Sequence, residues 1–146
     1  MIQILHILSV ILLVIFFSFT AIGFMFLLPK FILKIGGHEG NIGFIMGLAL
    51  VSSIISAPLT GFLSDKISSK ILITAGILVY SGSTLLYLLI NKLSPVIYII
   101  RILQSVGGVC AFTTAFSLIS KIIPEEKKAR GFAYFAATIQ LAYSAG

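Results

Sequence analysis

The sequence predicts an all-α, multi-pass membrane protein, and three observations carry that prediction. Of its residues 59% are hydrophobic and 10% charged, against roughly a quarter charged in a soluble domain. The mean hydropathy is +1.18. Four apolar segments exceed the about 20 residues that a helix needs to cross a hydrocarbon core, and nearly all the charge falls in the gaps between segments. Barrel strands would need only about 9 to 11 residues, with polar and apolar side chains alternating, and that alternation is missing.

The first segment, Ile4 to Pro29, is longer than a signal-peptide core of about 7 to 15 residues, and no Lys or Arg precedes it. It reads as a helix that stays in the protein. His6, one turn from the N-terminus, reads as a headgroup contact. The second segment, Asn41 to Ser64, carries Gly43 and Gly47 as G-x-x-x-G, a spacing that lets helix backbones approach closely. The third runs from Lys70 to Asn91. The fourth, Pro95 to Ser120, holds a second small-residue ladder, Gly107, Ala111 and Ala115, together with Arg101, the one charge inside a span.

The fifth segment begins near Lys127 and is still running at Gly146. From Gly131 onward it covers roughly 24 Å at 1.5 Å per residue, short of a full crossing. Residues 1–146 are therefore expected to be one incomplete domain, the front part of a longer protein.

Lys66, Lys70, Lys121, Lys127, Lys128 and Arg130 fall in the second and fourth gaps, whereas the first and third hold Lys30, Lys34 and Lys92. The positive-inside rule then places the second and fourth gaps, and the N-terminus, in the cytoplasm. The net charge of +6 does not point to nucleic acid, because the basic residues are scattered with no aromatic-interleaved face. Cys110 is a lone cysteine in an apolar run and reads as a small buried side chain. Tyr80, Tyr87, Tyr98, Tyr134 and Tyr143 read as belt or packing residues. No nucleotide loop, catalytic constellation, metal cluster or cofactor motif stands in the sequence.

The second gap, Gly61-Phe62-Leu63-Ser64-Asp65-Lys66-Ile67-Ser68-Ser69-Lys70-Ile71-Leu72-Ile73, closely resembles the signature between the second and third helices of the major facilitator superfamily. Gly61, Leu63, Asp65, Lys66, Lys70 and Ile73 match it. Ser68 and Ser69 stand where the family carries a glycine and a basic residue. Arg101-Ile102-Leu103-Gln104-Ser105-Val106-Gly107 resembles the family's fourth-helix pattern, with Ser105 in place of a glycine. Pro124, Arg130-Gly131 and Gly146 resemble the approach to and run of a fifth helix, and Leu28-Pro29, Gly36-Gly37 and Ile42-Gly43 the exit from a first.

The resemblance implies helices one to five of a major-facilitator bundle and a gate formed by Gly61, Asp65, Lys66 and Lys70 that helps hold the cytoplasmic side shut. It implies Arg101 in proton coupling, with Gln104 and Ser105 beside it. Arginine inside a span is costly and marks a functional site by default. Arg101 lies six residues after Pro95, so snorkelling to the outer headgroups is the plain alternative. Its helix face carries Gln104, Ser105, Gly108 and Phe112, a polar and small-residue stripe that suits a bundle interior. All four acidic residues, Glu39, Asp65, Glu125 and Glu126, lie in gaps.

The expected function is secondary active transport of a small solute by alternating access, with a proton-coupled exporter as the favoured subclass and the lipid bilayer, the solute, protons and the missing remainder of the same transporter as partners. A complete small transporter working as a homodimer and a non-transporting membrane scaffold subunit are the alternatives. An enzyme is not expected.

Overall fold

The computed structural model describes Ser9, Leu12, Leu13 and Phe16, which are helical, and residues 24–145. Most of the first apolar segment, His6 and Gly146 lie outside the described residues. A 3-10 turn, Phe24–Leu27, leads into α1 (Leu28–Lys34), followed by α2 (Glu39–Lys66), α3 (Ser69–Leu86), α4 (Val96–Ile122) and α5 (Lys128–Ala145). Three of these elements, Glu39–Lys66, Ser69–Leu89 and Val96–Ile122, are long and apolar enough to cross a membrane. The described residues form two compact units, 28–114 and 115–145 with the segment before Leu28.

Local chemistry sets the boundaries. Pro29, expected to end the first segment, instead sits in the first turn of α1, where its fixed φ suits a helix and its missing N–H breaks no intrahelical bond. Gly36, at φ 88°, ends α1. Its N–H donates to the Leu33 carbonyl at 3.2 Å and that of Gly37 to Ile32 at 2.9 Å, the paired bonds of a left-handed helix stop. At the start of α2 the Asn41 side-chain oxygen accepts the His38 backbone N–H at 3.0 Å. Only Ile67 and Ser68 separate α2 from α3.

Within residues 28–114, α4 is the central element. Pairings between α2 and α4 ascend in both helices, from Asn41 with Tyr98 to Ser53 with Ser105, so the two run parallel. Pairings with α3 descend, from Gln104 with Thr84 to Cys110 with Leu72, so that pair is antiparallel. The loop after α3 returns to α1, with Leu93 donating to the Ile35 carbonyl at 2.9 Å.

Small residues make the α3–α4 seam. A Cβ on Gly76 would stand 2.7 Å from the Ala111 backbone nitrogen and 2.8 Å from the Gly107 carbonyl oxygen, and one on Gly107 would stand 2.7 Å from the Tyr80 nitrogen. Gly107 and Ala111 from the fourth-segment ladder therefore face Gly76, and the two backbones nearly touch. Gly43 and Gly47 behave differently: a Cβ on either would meet no described atom within 4 Å.

The outward faces are apolar, with Phe44, Leu50, Ile54, Leu78, Leu85 and Leu88 exposed, as lipid contact requires. Because lipid is as apolar as leucine, association rests on close packing and interhelical hydrogen bonds. The inward face of α2 instead repeats Ser52, Ser56, Thr60 and Ser64, all buried. Ser52, Ser56 and Ser64 return their hydroxyls to carbonyls of their own helix, which satisfies them where water is absent.

In the second unit Phe116, near the end of α4, stacks on Phe132 of α5 with ring centroids 4.8 Å apart and meets Phe135 edge-on at 5.7 Å. The Ile123 side chain fills the space that a Cβ on Gly131 would need. Glu125 and Lys128 form an exposed ion pair in the intervening turn.

Candidate functional site

Arg101 is near the start of α4, about 8 Å along the axis from its first residue, and is part-buried. Its guanidinium turns into the three-helix unit. Nη1 donates to the Gln104 Oε1 at 2.8 Å, and Nη2 reaches the Met46 sulfur of α2 at 3.6 Å. Tyr87, at the end of α3, lies within electrostatic reach. Guanidinium, amide and thioether thus meet inside the three-helix unit.

Gln104 is 1% exposed, unusual for a polar side chain in an apolar helix and tolerable only when bonded. Its Nε2 donates to the Thr84 Oγ1 at 2.8 Å, and Thr84 donates to the Tyr80 carbonyl at 2.8 Å. One turn from Arg101, the Ser105 Oγ lies 2.7 Å from both the Ser53 Oγ and the Ala49 carbonyl oxygen. Ser53 itself bonds to the Ala49 carbonyl at 2.9 Å. Ser105 therefore ties α4 to α2, and Gln104 ties α4 to α3.

Arg101, Gln104 and Ser105, singled out in the sequence, come together in this buried polar junction. Met46, Ser53, Thr84 and Tyr87 complete it and were not anticipated as site residues. A signal for two of them is present: Ser53 and Thr84 are polar residues inside apolar runs, as Gln104 is.

The second cluster is the turn between α2 and α3. Asp65 and Lys66 are exposed in the last turn of α2, and Lys70 is exposed in the first turn of α3. The Lys66 ammonium stands over the Phe62 ring, 4.1 Å from its centroid, a cation–π contact. Ile67 closes α2 by donating to Leu63 at 2.8 Å, and the Ser68 carbonyl accepts from Ile71 and Leu72 to open α3. A Cβ on Gly61 would meet no described atom within 4 Å. A carboxylate in the last turn of its own helix is not favoured by the helix dipole.

A family model described as Major Facilitator Superfamily matches residues 8–146. The chain belongs to the major facilitator superfamily.

Among curated relatives, the quinolone resistance protein NorA of Staphylococcus aureus (strain Mu50 / ATCC 700699) is 26% identical over 133 residues, covering 90% of this chain and 34% of that protein. Multidrug resistance protein 2 of Bacillus subtilis (strain 168) is 24% identical over 133 residues, covering 90% and 33%. The chain spans about a third of the length of these curated relatives. No solved structure matches it. In this major facilitator chain the signature's usual glycine is Ser68, whose φ of −52° and ψ of 128° lie where any residue is allowed. The turn closes without needing glycine.

Proposed function

We propose that the native protein is a secondary transporter that exports a small drug-like or metabolite molecule in exchange for protons, with residues 1–146 supplying the first helices of its N-terminal half. The observation that carries this reading is Arg101, turned inward at the junction of three otherwise apolar helices in a major facilitator chain. Its relatives named for quinolone and multidrug resistance support the exporter subclass. Alternating access would place the solute near the bilayer midplane, between the two helical halves of the native protein.

The test is loading of ciprofloxacin, a fluorescent quinolone, into cells that do or do not express the native protein. Expression should lower steady-state accumulation, and collapsing the proton gradient should remove the difference. Equal accumulation in both cell lines would count against quinolone export, and a difference that survives gradient collapse would count against proton exchange.

Asp65, Lys66, Lys70 and Gly61 form the gate in this reading. Asp65→Asn is expected to abolish transport while leaving protein abundance near wild type, because the charge biases a conformational equilibrium. Equal loss of abundance and transport, read by immunoblot beside the accumulation assay, would assign Asp65 to folding. The orientation follows the basic-residue bias. Lys66→Cys should be silent to an impermeant maleimide applied to intact cells while Lys34→Cys and Lys92→Cys react, and labelling of Lys66→Cys from outside would invert the topology.

A further inference from the structure

We infer that Thr84 is the positioning residue for Arg101, acting through Gln104: its hydroxyl fixes which end of the Gln104 amide faces the guanidinium. The transport role of Arg101 is taken from the function proposed above, but the inference itself stands on geometry. A guanidinium has donors and no acceptor, so Gln104 must present its oxygen to Nη1, as it does at 2.8 Å. The amide NH2 then faces the other way in a site 1% exposed and needs an acceptor. Thr84 Oγ1 stands 2.8 Å from it.

A hydroxyl can donate or accept, and here its direction is decided. Facing an NH2 group, Thr84 must accept, and its own hydrogen goes to the Tyr80 carbonyl 2.8 Å away. Every hydrogen in the chain therefore points one way, from Arg101 through Gln104 and Thr84 to a backbone carbonyl. Flipping the Gln104 amide would set two donors against each other at the arginine. The chain ends on a peptide oxygen that cannot pass a proton onward, so it orients Arg101 and does not conduct protons.

Ser105 cannot take the place of Thr84, since it bonds to Ser53 and the Ala49 carbonyl on the α2 side. Removing the Thr84 acceptor leaves the Gln104 amide free to rotate toward other partners, and its oxygen no longer stays on Nη1. Gln104 bonds to both Thr84 and Arg101, so the effect of Thr84 is expected to travel through that one side chain.

The experiment is site-resolved modification of the purified native protein by phenylglyoxal, with Arg101 and the exposed Arg130 quantified separately by peptide mass spectrometry. Thr84→Val should raise the Arg101 rate roughly 3- to 10-fold, the factor one net hydrogen bond carries, with Arg130 unchanged. Thr84→Ser should restore the wild-type rate, and adding Thr84→Val to Gln104→Met should raise it no further than Gln104→Met alone. If the valine variant does not accumulate, Thr84→Ala replaces it and makes the same prediction.

An unchanged Arg101 rate in the folded valine or alanine variant overturns the inference, as does equal acceleration at Arg130, which would mean general loosening. The ciprofloxacin assay adds an independent arm, in which Thr84→Val should lower the maximal transport rate and Thr84→Ser should rescue it. If wild type moves no ciprofloxacin, the quinolone-export reading fails while the labelling result still decides Thr84.

Discussion

Gly76→Val is expected to prevent stable assembly of the α3–α4 pair, giving protein that is lost to aggregation on detergent extraction. A Cβ at this position would stand 2.7 Å from the Ala111 nitrogen, 2.8 Å from the Gly107 oxygen and 3.1 Å from the Ala111 Cα. All three atoms are backbone, so no rotamer change relieves the clash and the helices must separate. Even Gly76→Ala should cost about 1 to 3 kcal/mol, the scale of overpacking in a tight core, and should lower the midpoint of thermal unfolding in detergent. Gly82→Ala is the control, because a Cβ there meets no described atom within 4 Å and alanine favours the helix. Equal unfolding midpoints for Gly76→Val and wild type would show that the seam tolerates separation.

The second large effect is on transport, at Arg101. Arg101→Lys keeps the charge but loses the planar fork that reaches Gln104 and Met46 together. Hydrogen bonds to charged groups contribute about 1.5 to 3 kcal/mol, and each 1.4 kcal/mol is a factor of about ten. If the native protein exports ciprofloxacin as proposed, that transport should fall by roughly 10- to 100-fold with the protein still inserted and monodisperse. Arg101→Leu should lose transport as well, since it leaves the buried Gln104 oxygen without its donor. Full activity in Arg101→Leu would remove the arginine from the mechanism and leave it as a structural contact of the junction.

The spans were legible because their signal is one of length and charge. The second, third and fourth segments overlie α2, α3 and α4, the third running past the end of α3 at Leu86 through a 3-10 turn, and the two-residue turn falls where charge interrupts the apolar runs. Arg101, Gln104 and Ser105 were legible because polar groups in an apolar helix need a stated reason. Their partners were not, because which face of α3 meets α4 is not decided by hydrophobic periodicity when every face is apolar. Small residues decide it instead: Gly76 lets α3 come close, and that contact carries Thr84 alongside Gln104. Gly76 stands alone without a G-x-x-x-G spacing, whereas Gly43 and Gly47 have the spacing and meet no described neighbour. Spacing records an opportunity for contact, and the opposite helix determines whether it is used.

The brevity of the link between α2 and α3 has a mechanical consequence. Ile67 (φ −113°, ψ 144°) and Ser68 (φ −52°, ψ 128°) are already extended, so the connection holds almost no slack. Slippage of one helix past the other by a single turn, about 5.4 Å, would exceed the reach of roughly 3.3 to 3.6 Å that one more extended residue supplies. It would require unwinding the last turn of α2 or the first of α3. The link therefore couples α2 and α3 at this end, so that they can pivot about it but not slide past one another by a turn.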